Sequence, residues 1–121
     1  MLCRILIVDD NADLAEAMSM MLTICGFNTT TAYNGRLALE KAHNFRPEII
    51  LLDLGLPDMN GYEVASTIRR ECGLATTIFI AISAGDPNSR VHHAQEARFD
   101  HYLVKPVDLD VLLRLLSKQG P

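Results

Sequence analysis

Three aspartates, one serine and one lysine are the residues of this chain whose types and positions could do chemistry together. Asp9 and Asp10 follow the apolar run CRILIV, Asp53 follows EIILL, Ser83 ends IFIAIS, and Lys105 follows HYLV. Each run has the length and residue types of a buried strand, so a polar group would stand at the end of each strand. A carboxylate directly after a buried strand is uncommon in a purely structural role, which favours a functional role for Asp53.

Three carboxylates at one place would repel one another. Proteins tolerate such a group by protonating one acid, by pairing the acids, or by binding a cation. Lys105 carries one positive charge and cannot neutralise all three acids. Magnesium (Mg²⁺), or the similar manganese ion (Mn²⁺), suits carboxylate oxygens together with water and a phosphoryl oxygen. A metal ion beside a lysine favours phosphoryl transfer, because that reaction depends on positioning and charge stabilisation, and Ser83 could donate a hydrogen bond to the phosphoryl oxygens.

Each of these residues also has a simpler explanation when it is taken alone. Asp9 and Asp10 could cap a helix and lie in solvent, Ser83 could be a hydrogen-bonded loop hydroxyl, and Lys105 with Pro106 could form a turn. The joint placement of these polar groups at strand ends favours a site over the separate explanations.

The strand-length runs alternate with segments whose apolar residues recur at helical spacing, which predicts a repeated β-α alternation. The runs ILLDL and IFIAI are apolar without alternation, as in parallel strands buried on both faces. Right-handed crossovers then predict an α/β fold of three layers: a doubly wound, flavodoxin-like α/β/α sandwich with a five-stranded parallel sheet and five helices. In the favoured strand order 2-1-3-4-5, the four strands with polar ends are neighbours and the second strand lies at an edge.

The predicted strands cover residues 3–8, 27–32, 48–53, 76–83 and 101–104. Helices are predicted from a cap at Asp10 or Asn11 to Gly26, over 36–45, over 61–71, and from about Asp108 onward. One apolar face of the first helix is predicted from residues at i, i+3, i+4, i+7, i+8 and i+11, namely Leu14, Ala17, Met18, Met21, Leu22 and Cys25.

Length and composition limit the remaining possibilities. A chain of 121 residues fits one domain over 1–121, and its 49% of hydrophobic residues is ordinary for a globular protein. The net charge of −4, with Arg69-Arg70 as the one basic pair, argues against direct nucleic-acid binding. No apolar run approaches the roughly 20 residues that cross a membrane, and no signal peptide is recognisable, so we expect a cytoplasmic domain without membrane insertion. Cys3, Cys25 and Cys72 are predicted to be core thiols, because their number and spacing fit neither a disulfide framework nor a zinc site.

Four motifs together resemble one family over essentially the whole chain. They are ILIVDDN with Asp9 and Asp10, LLDLGLPDMNG with Asp53, AISA with Ser83, and YLVKP with Lys105. This combination and spacing resemble the receiver domain of two-component response regulators and hybrid sensor histidine kinases. The ending YLVKPVDLDVLLRLL is somewhat more similar to the hybrid-kinase version.

The resemblance implies a phosphorelay function. Asp53 would accept a phosphoryl group from a phosphohistidine on a sensor histidine kinase or a histidine phosphotransfer domain. Asp9 and Asp10 would hold Mg²⁺ directly or through water, and the Asp53 carboxylate and the backbone carbonyl of Gly55 would be the further protein ligands. Lys105 would pair with the phosphoryl oxygens. Such a domain catalyses its own phosphorylation and dephosphorylation, and it is not an enzyme with an external substrate.

The resemblance also implies a conformational switch. Ser83 would move toward the phosphoryl group after it arrives, and Tyr102 matches the aromatic residue whose rotamer reports the phosphorylated state. The Lys105-Pro106 peptide bond would be cis, which X-Pro bonds permit at modest cost.

Two positions depart from the usual receiver pattern. Arg98 stands where receivers commonly have glycine before the fifth strand, and a left-handed backbone there would cost about 1 kcal/mol. Gly55 lacks the side chain that influences dephosphorylation in many receivers, so the lifetime of the phosphorylated state does not follow from the sequence.

The last helix has apolar residues outside its core stripe. Val111 and Leu115 lie on another flank, either because the helix is deeply seated or because this flank binds something. We expect a dimer contact or an intramolecular domain contact through the face formed by the predicted fourth helix, the fifth strand and the last helix.

Two other functions remain open from the sequence. One is a partner-binding pseudo-receiver that is never phosphorylated, against which the complete set of acids, serine and lysine argues. The other is a phosphatase of the haloacid-dehalogenase type, which has two acids spaced DxD after its first strand. Here the two acids are adjacent and precede a separate Asp53.

Overall fold

Five parallel strands form one sheet in the order β2-β1-β3-β4-β5, which confirms the predicted fold. The computed structural model describes residues 3–84 and 99–119. Its elements, in chain order, are β1 (Arg4–Val8), α1 (Ala12–Ile24), β2 (Asn28–Ala32), α2 (Gly35–Phe45), β3 (Ile49–Asp53), α3 (Gly61–Glu71), β4 (Ile78–Ser83), β5 (His101–Val104) and α4 (Leu109–Gln119). The helix predicted between β4 and β5, and Arg98 with it, lie outside the described residues.

The central strands are apolar on both faces because helices cover both sides of the sheet. All five residues of β3 are buried, as are the last five of β4. Alternate side chains of β1 and β3 enter two separate cores. Leu6, Val8, Ile50 and Leu52 pack with α2 and α3, and Ile5, Ile7, Ile49 and Leu51 pack with α1 and α4. These two cores fix the strands, and therefore the strand ends, in position.

The predicted buried face of α1 is wrong in part. Ala15 and Leu22 are the buried residues of this helix, whereas Leu14 is 53% and Met21 45% exposed. Apolar residues occur on nearly every side of α1, so their spacing alone did not define one inward face. Contacts with β2 are on the side of Ser19, whose hydroxyl lies 2.6 Å from that of Thr29.

Side chains of asparagine begin the first three helices. Asn11 Oδ1 accepts a hydrogen bond from Leu14 N at 3.1 Å, so Asn11 rather than Asp10 is the cap of α1. Asn34 and Asn60 cap α2 and α3 in the same way. Gly26, at φ 101°, follows the end of α1 as predicted. α2 ends at Phe45 as predicted, and the left-handed conformation of Arg46 that ends it, at φ 55°, was not predicted.

The prediction of three core thiols holds for Cys72 and fails for Cys25. Cys72 is buried, Cys3 is half-buried against the core beneath α1, and Cys25 is exposed at the end of α1. Burial raises the pKa of the Cys3 and Cys72 thiols, which reduces their reactivity. Cys25 is exposed because it belongs to the outward face of α1 that the periodicity had placed inward.

No helix within residues 3–84 and 99–119 combines the length and the apolar character that a membrane crossing requires.

Candidate functional site

The carboxyl ends of four neighbouring strands bring the predicted site residues to one edge of the sheet. Asp9 directly follows β1, Asp53 and Ser83 are the last residues of β3 and β4, and Lys105 directly follows β5. The register aligns these ends, because Asp53 pairs with Ile82 of β4 and Lys105 N donates to the carbonyl of Ser83 at 2.8 Å. Residues distant in sequence therefore meet because parallel strands end together.

Asp53 is a buried carboxylate with two different hydrogen-bond donors. Its side-chain carboxylate is only 6% exposed. Lys105 Nζ lies 2.9 Å from Oδ2, and the backbone N–H of Gly55 donates to Oδ1 at 2.9 Å. The ammonium group and the loop after β3 thus hold the two carboxylate oxygens in a defined orientation.

Asp9 and Asp10 complete a group of three acids. One carboxylate oxygen from each of Asp9, Asp10 and Asp53 lies within 4.8 Å of the others. Asp9 accepts a hydrogen bond from Asn11 N at 2.9 Å, and its Oδ2 lies 3.7 Å from Lys105 Nζ. Asp10 is exposed, so the group opens to solvent on its side.

The site contains three carboxylates and one ammonium group, and this imbalance of charge affects the pKa of Asp9 and of Lys105. Burial raises the pKa of Asp9, and the nearby Asp53 charge raises it further, against the opposing hydrogen bond from Asn11 N and the charge of Lys105. Burial alone would lower the pKa of Lys105. The hydrogen bond and charge of Asp53, together with the charges of Asp9 and Asp10, outweigh burial, and the pKa of Lys105 is raised. Lys105 therefore stays protonated, and negative charge remains uncompensated.

The donor set fits a hard divalent cation. Carboxylate oxygens at this spacing are the ligands that Mg²⁺ prefers, and excess negative charge is what such an ion would neutralise. Asp9, Asp10 and Asp53 are the residues that could hold it. Gly55 lies beside them through its hydrogen bond to Asp53, which is compatible with the predicted contribution of its backbone carbonyl.

The two predicted switch residues lie on β4 and β5, the next two strands of the sheet after β3, which carries Asp53. Ser83 is buried at the end of β4. Tyr102 of β5 pairs with Ala81 of β4 and packs, partly buried, against the core on the α2 and α3 side. The Lys105-Pro106 bond is cis, as the resemblance implied. The movement of Ser83 and Tyr102 on phosphorylation stays a prediction.

Two features near the site were missed from the sequence. An apolar groove of about 480 Å³ runs from Asp9 and Lys105 between α1 and the start of α4, lined by Leu14 and Met21 among others. Asp58, in the loop after β3, binds the backbone N–H groups of Gly35 and Arg36 at the start of α2. The groove could have been predicted from the apolar residues of α1 that exceed one helix face. The contact of Asp58 could not, because its partners at the start of α2 lie more than 20 residues earlier and no sequence pattern connects them.

Known proteins share both the sequence pattern and the fold. The pattern of the response regulator receiver domain matches residues 5–117. The chain belongs to this family. Curated relatives of this receiver domain include the transcriptional regulatory protein KdpE of Mycobacterium tuberculosis, 36% identical over 112 residues, and the DNA-binding response regulator MtrA of Mycobacterium leprae, 37% identical over 103 residues. The alignments cover 93% and 85% of this chain but 48% and 44% of those relatives, so the chain spans about half their length.

Solved receiver structures superimpose on nearly the whole chain. The chemotaxis protein CheY4 of Vibrio cholerae gives a TM-score of 0.89 at 27% identity and covers 99% of this chain and 100% of its own. The response regulator TrrA of Thermotoga maritima, solved in complex with Mg²⁺ and BeF, gives 0.84 at 29% identity and covers 98% of this chain and 100% of its own. The predicted similarity to hybrid-kinase receivers in particular stays a prediction.

Proposed function

We propose that this receiver domain accepts a phosphoryl group on Asp53 from a phosphohistidine and thereby acts as a switch in a phosphorelay. The observation that carries the proposal is the environment of Asp53. Its buried carboxylate lies 2.9 Å from the Lys105 ammonium, and two more acids lie within 4.8 Å. An acid with only a structural role would not need two further acids and a lysine at the same strand ends.

Phosphorylation in this pocket consists of one displacement. A carboxylate oxygen of Asp53 attacks the phosphorus of the phosphohistidine, the P–N bond breaks, and the leaving imidazole takes a proton from solvent. Lys105, already hydrogen-bonded to Asp53, pairs with the phosphoryl oxygens as they arrive, and Ser83 donates to them from β4. Hydrolysis later returns Asp53 to the carboxylate and releases inorganic phosphate.

A divalent cation is part of the proposal. Mg²⁺ or Mn²⁺, held by Asp9, Asp10 and Asp53 with the Gly55 carbonyl, supplies the positive charge that phosphoryl transfer requires. This chain's own residues position the acceptor, and the protein acts on its own side chain rather than on an external metabolite.

The donor is proposed to be a sensor histidine kinase or a histidine phosphotransfer domain. Any donor histidine must reach Asp53 from the side where the strand ends open. Leu14 and Met21 are exposed along the groove that begins at Asp9 and Lys105, so an apolar surface is available beside the acceptor. We further propose a cytoplasmic location, which is typical of response regulators, and no nucleic-acid contact by this domain.

The output face is proposed to include β5 and α4. Val111 is 43% exposed, whereas Leu115 is half-buried against the core on the α1 side, so Val111 is the better candidate for a contact on this face. A dimer or another domain of a longer chain would bind there after Ser83 and Tyr102 respond to the phosphoryl group.

Intact-mass measurement after incubation with phosphoramidate tests the proposal, because this small donor carries a P–N bond. We expect the wild-type mass to increase by one phosphoryl group with Mg²⁺ and not with a chelator. Asp53→Asn should abolish the gain, and Asp13→Asn, at an exposed acid of α1, should retain it. No gain in the wild type would favour the pseudo-receiver, and a gain that survives Asp53→Asn would place the phosphoryl group elsewhere.

A further inference from the structure

The loop between β3 and α3, residues 54–60, carries one acid, Asp58, whose function the phosphoacceptor pocket does not explain. Both carboxylate oxygens of Asp58 are bound by the first turn of α2. Gly35 N donates to Oδ1 at 2.8 Å, and Arg36 N donates to Oδ2 at 3.1 Å. These N–H groups have no partner within their own helix, and the helix dipole favours a negative charge at this end. Asp58 therefore ties the loop to α2 although its side chain lies at the surface.

Packing on both sides of Asp58 leaves the loop little freedom. A Cβ atom at Gly35 would lie 2.8 Å from Met59 Cβ, so the loop presses directly on the start of α2. A Cβ atom at Gly61 would lie 2.7 Å from Leu54 Cδ2, so the loop also presses on the start of α3. Asp58 is the polar link between the loop and α2, whereas Asn60, the cap of α3, links the loop to that helix.

Gly55 is the part of this loop that lies beside Asp53, and its position depends on how the loop packs against α2 and α3. Gly55 is exposed, has no side chain of its own, and is linked to the pocket by the hydrogen bond from its N–H to Asp53 Oδ1. Glycine is the residue with the greatest backbone freedom, so the position of Gly55 depends on how the rest of the loop is held as well as on this hydrogen bond.

We propose that Asp58 is a positioning residue, which fixes the backbone of Gly55 beside Asp53 by tying the loop to the first turn of α2. The inference rests on the proposed function, because the value of a fixed Gly55 is that its backbone and the Asp53 carboxylate are ready for the cation. Asp58 touches neither the cation nor the phosphoryl group in this role, and it acts through Gly55.

The alternative is that Asp58 only stabilises the start of α2. That helix already has its own cap, since Asn34 Oδ1 accepts from Leu37 N at 2.8 Å. Asn34 therefore provides a matched control: Asn34→Ala weakens the same helix end and leaves the link between Asp58 and the loop intact.

Calorimetric titration with Mg²⁺ and a ¹⁵N spectrum of the metal-free protein separate the two explanations. We expect Asp58→Ala to weaken Mg²⁺ binding by about tenfold, the low end of the effect seen for residues that hold a metal ligand in place. The Gly55 amide signal should shift in this variant before any metal is added. Asp58→Asn, which keeps one acceptor oxygen, should recover part of the affinity, whereas Asn34→Ala should lower Tm and leave both Mg²⁺ affinity and the Gly55 signal as in the wild type.

Two results would overturn the inference alone, and a third would overturn the proposed function as well. Wild-type Mg²⁺ affinity in a folded Asp58→Ala protein would show that the link does not position the site. Equal losses of Mg²⁺ affinity in Asp58→Ala and Asn34→Ala would show that Asp58 acts only by stabilising the start of α2. A wild-type protein that neither binds Mg²⁺ nor is phosphorylated would overturn the proposed function and this inference together.

Discussion

At the scale of single residues, Lys105 has two opposing effects on the pocket. Its ammonium lies 2.9 Å from Asp53 and 3.7 Å from Asp9, so it partly neutralises the acids before any cation arrives. The same charge repels a divalent ion bound by those acids. The lysine therefore stabilises the metal-free pocket and competes with the metal for it.

Replacing Lys105 by glutamine should separate these effects. We expect Mg²⁺ affinity to rise by about fivefold, which corresponds to removing a repulsion of roughly 1 kcal/mol. Phosphorylation by phosphoramidate should slow, because the phosphoryl oxygens lose their ammonium partner. Calorimetry and intact-mass time courses measure the two quantities, with Lys41→Gln as a control lysine that binds the Thr31 carbonyl instead. Weaker Mg²⁺ binding in Lys105→Gln would mean that the lysine chiefly orients Asp53.

Asp58 should give the stability of the domain a specific dependence on pH. The hydrogen bond from Gly35 N, with that from Arg36 N, lowers the pKa of Asp58 below its usual value. A lowered pKa in the folded state means that the stabilisation is complete above the unfolded-state pKa of about 4, and is lost as pH falls through the folded-state pKa. Denaturant unfolding should show wild type more stable than Asp58→Asn at pH 7, and the difference should shrink progressively as the pH falls below about 4. The difference between wild type and Asn34→Ala should not change in this way, and a pH-independent difference for Asp58→Asn would contradict the assignment.

At the scale of the elements, the sequence predicted strands better than helix faces. A strand buried in a parallel sheet is a short apolar run, and β3 and β4 could be located within two residues from that feature alone. In α1, apolar residues surround the helix, so their spacing does not show that Ala15 and Leu22 are the ones that enter the core of the folded chain. The acids, serine and lysine were predictable because they end strands, whereas Asp58 was not, because its partners lie in α2.

The exposed side of α1 should matter for a protein donor and not for a small one. Met21 lines the groove next to Asp9, and Met20 is 65% exposed on the same helix but does not line the groove. We expect Met21→Asp to slow transfer from a phosphorylated histidine phosphotransfer domain by about tenfold, as for an interface residue worth 1–2 kcal/mol, with phosphoramidate kinetics unchanged. Met20→Asp should leave both rates near wild type. Equal transfer rates for wild type and Met21→Asp would remove the groove from the donor contact.

At the scale of the whole molecule, cation binding and folding stability are linked. Asp9, Asp10 and Asp53 follow or end two different strands, so their mutual repulsion opposes the packing of β1 against β3. A cation that binds only the folded arrangement removes this opposition and stabilises the domain by mass action.

Thermal unfolding with and without Mg²⁺ measures this link. At a Mg²⁺ concentration about a hundred times Kd, the gain should be about 2.7 kcal/mol, or roughly 10 °C in Tm for a domain of this size. Asp10→Asn should melt higher than wild type without metal, because repulsion is relieved, and should gain less when Mg²⁺ is added. Asp13→Asn should behave as the wild type, and an equal Mg²⁺ gain in Asp10→Asn would exclude Asp10 from the cation site.

The strand order places Asp53 and Lys105 on parts of the sheet that differ in how readily they open. Asp53 belongs to β3, the middle strand, which is hydrogen-bonded on both sides, whereas Lys105 follows β5, which pairs on one side with β4. Amide protons of a doubly paired central strand exchange with solvent only in large openings of the fold, and those of an edge strand exchange in smaller ones. In the proposed function, the phosphoryl group would therefore be bound to the strand that opens least readily. Lys105, which would pair with it, follows an edge strand, where a rearrangement disturbs fewer neighbours.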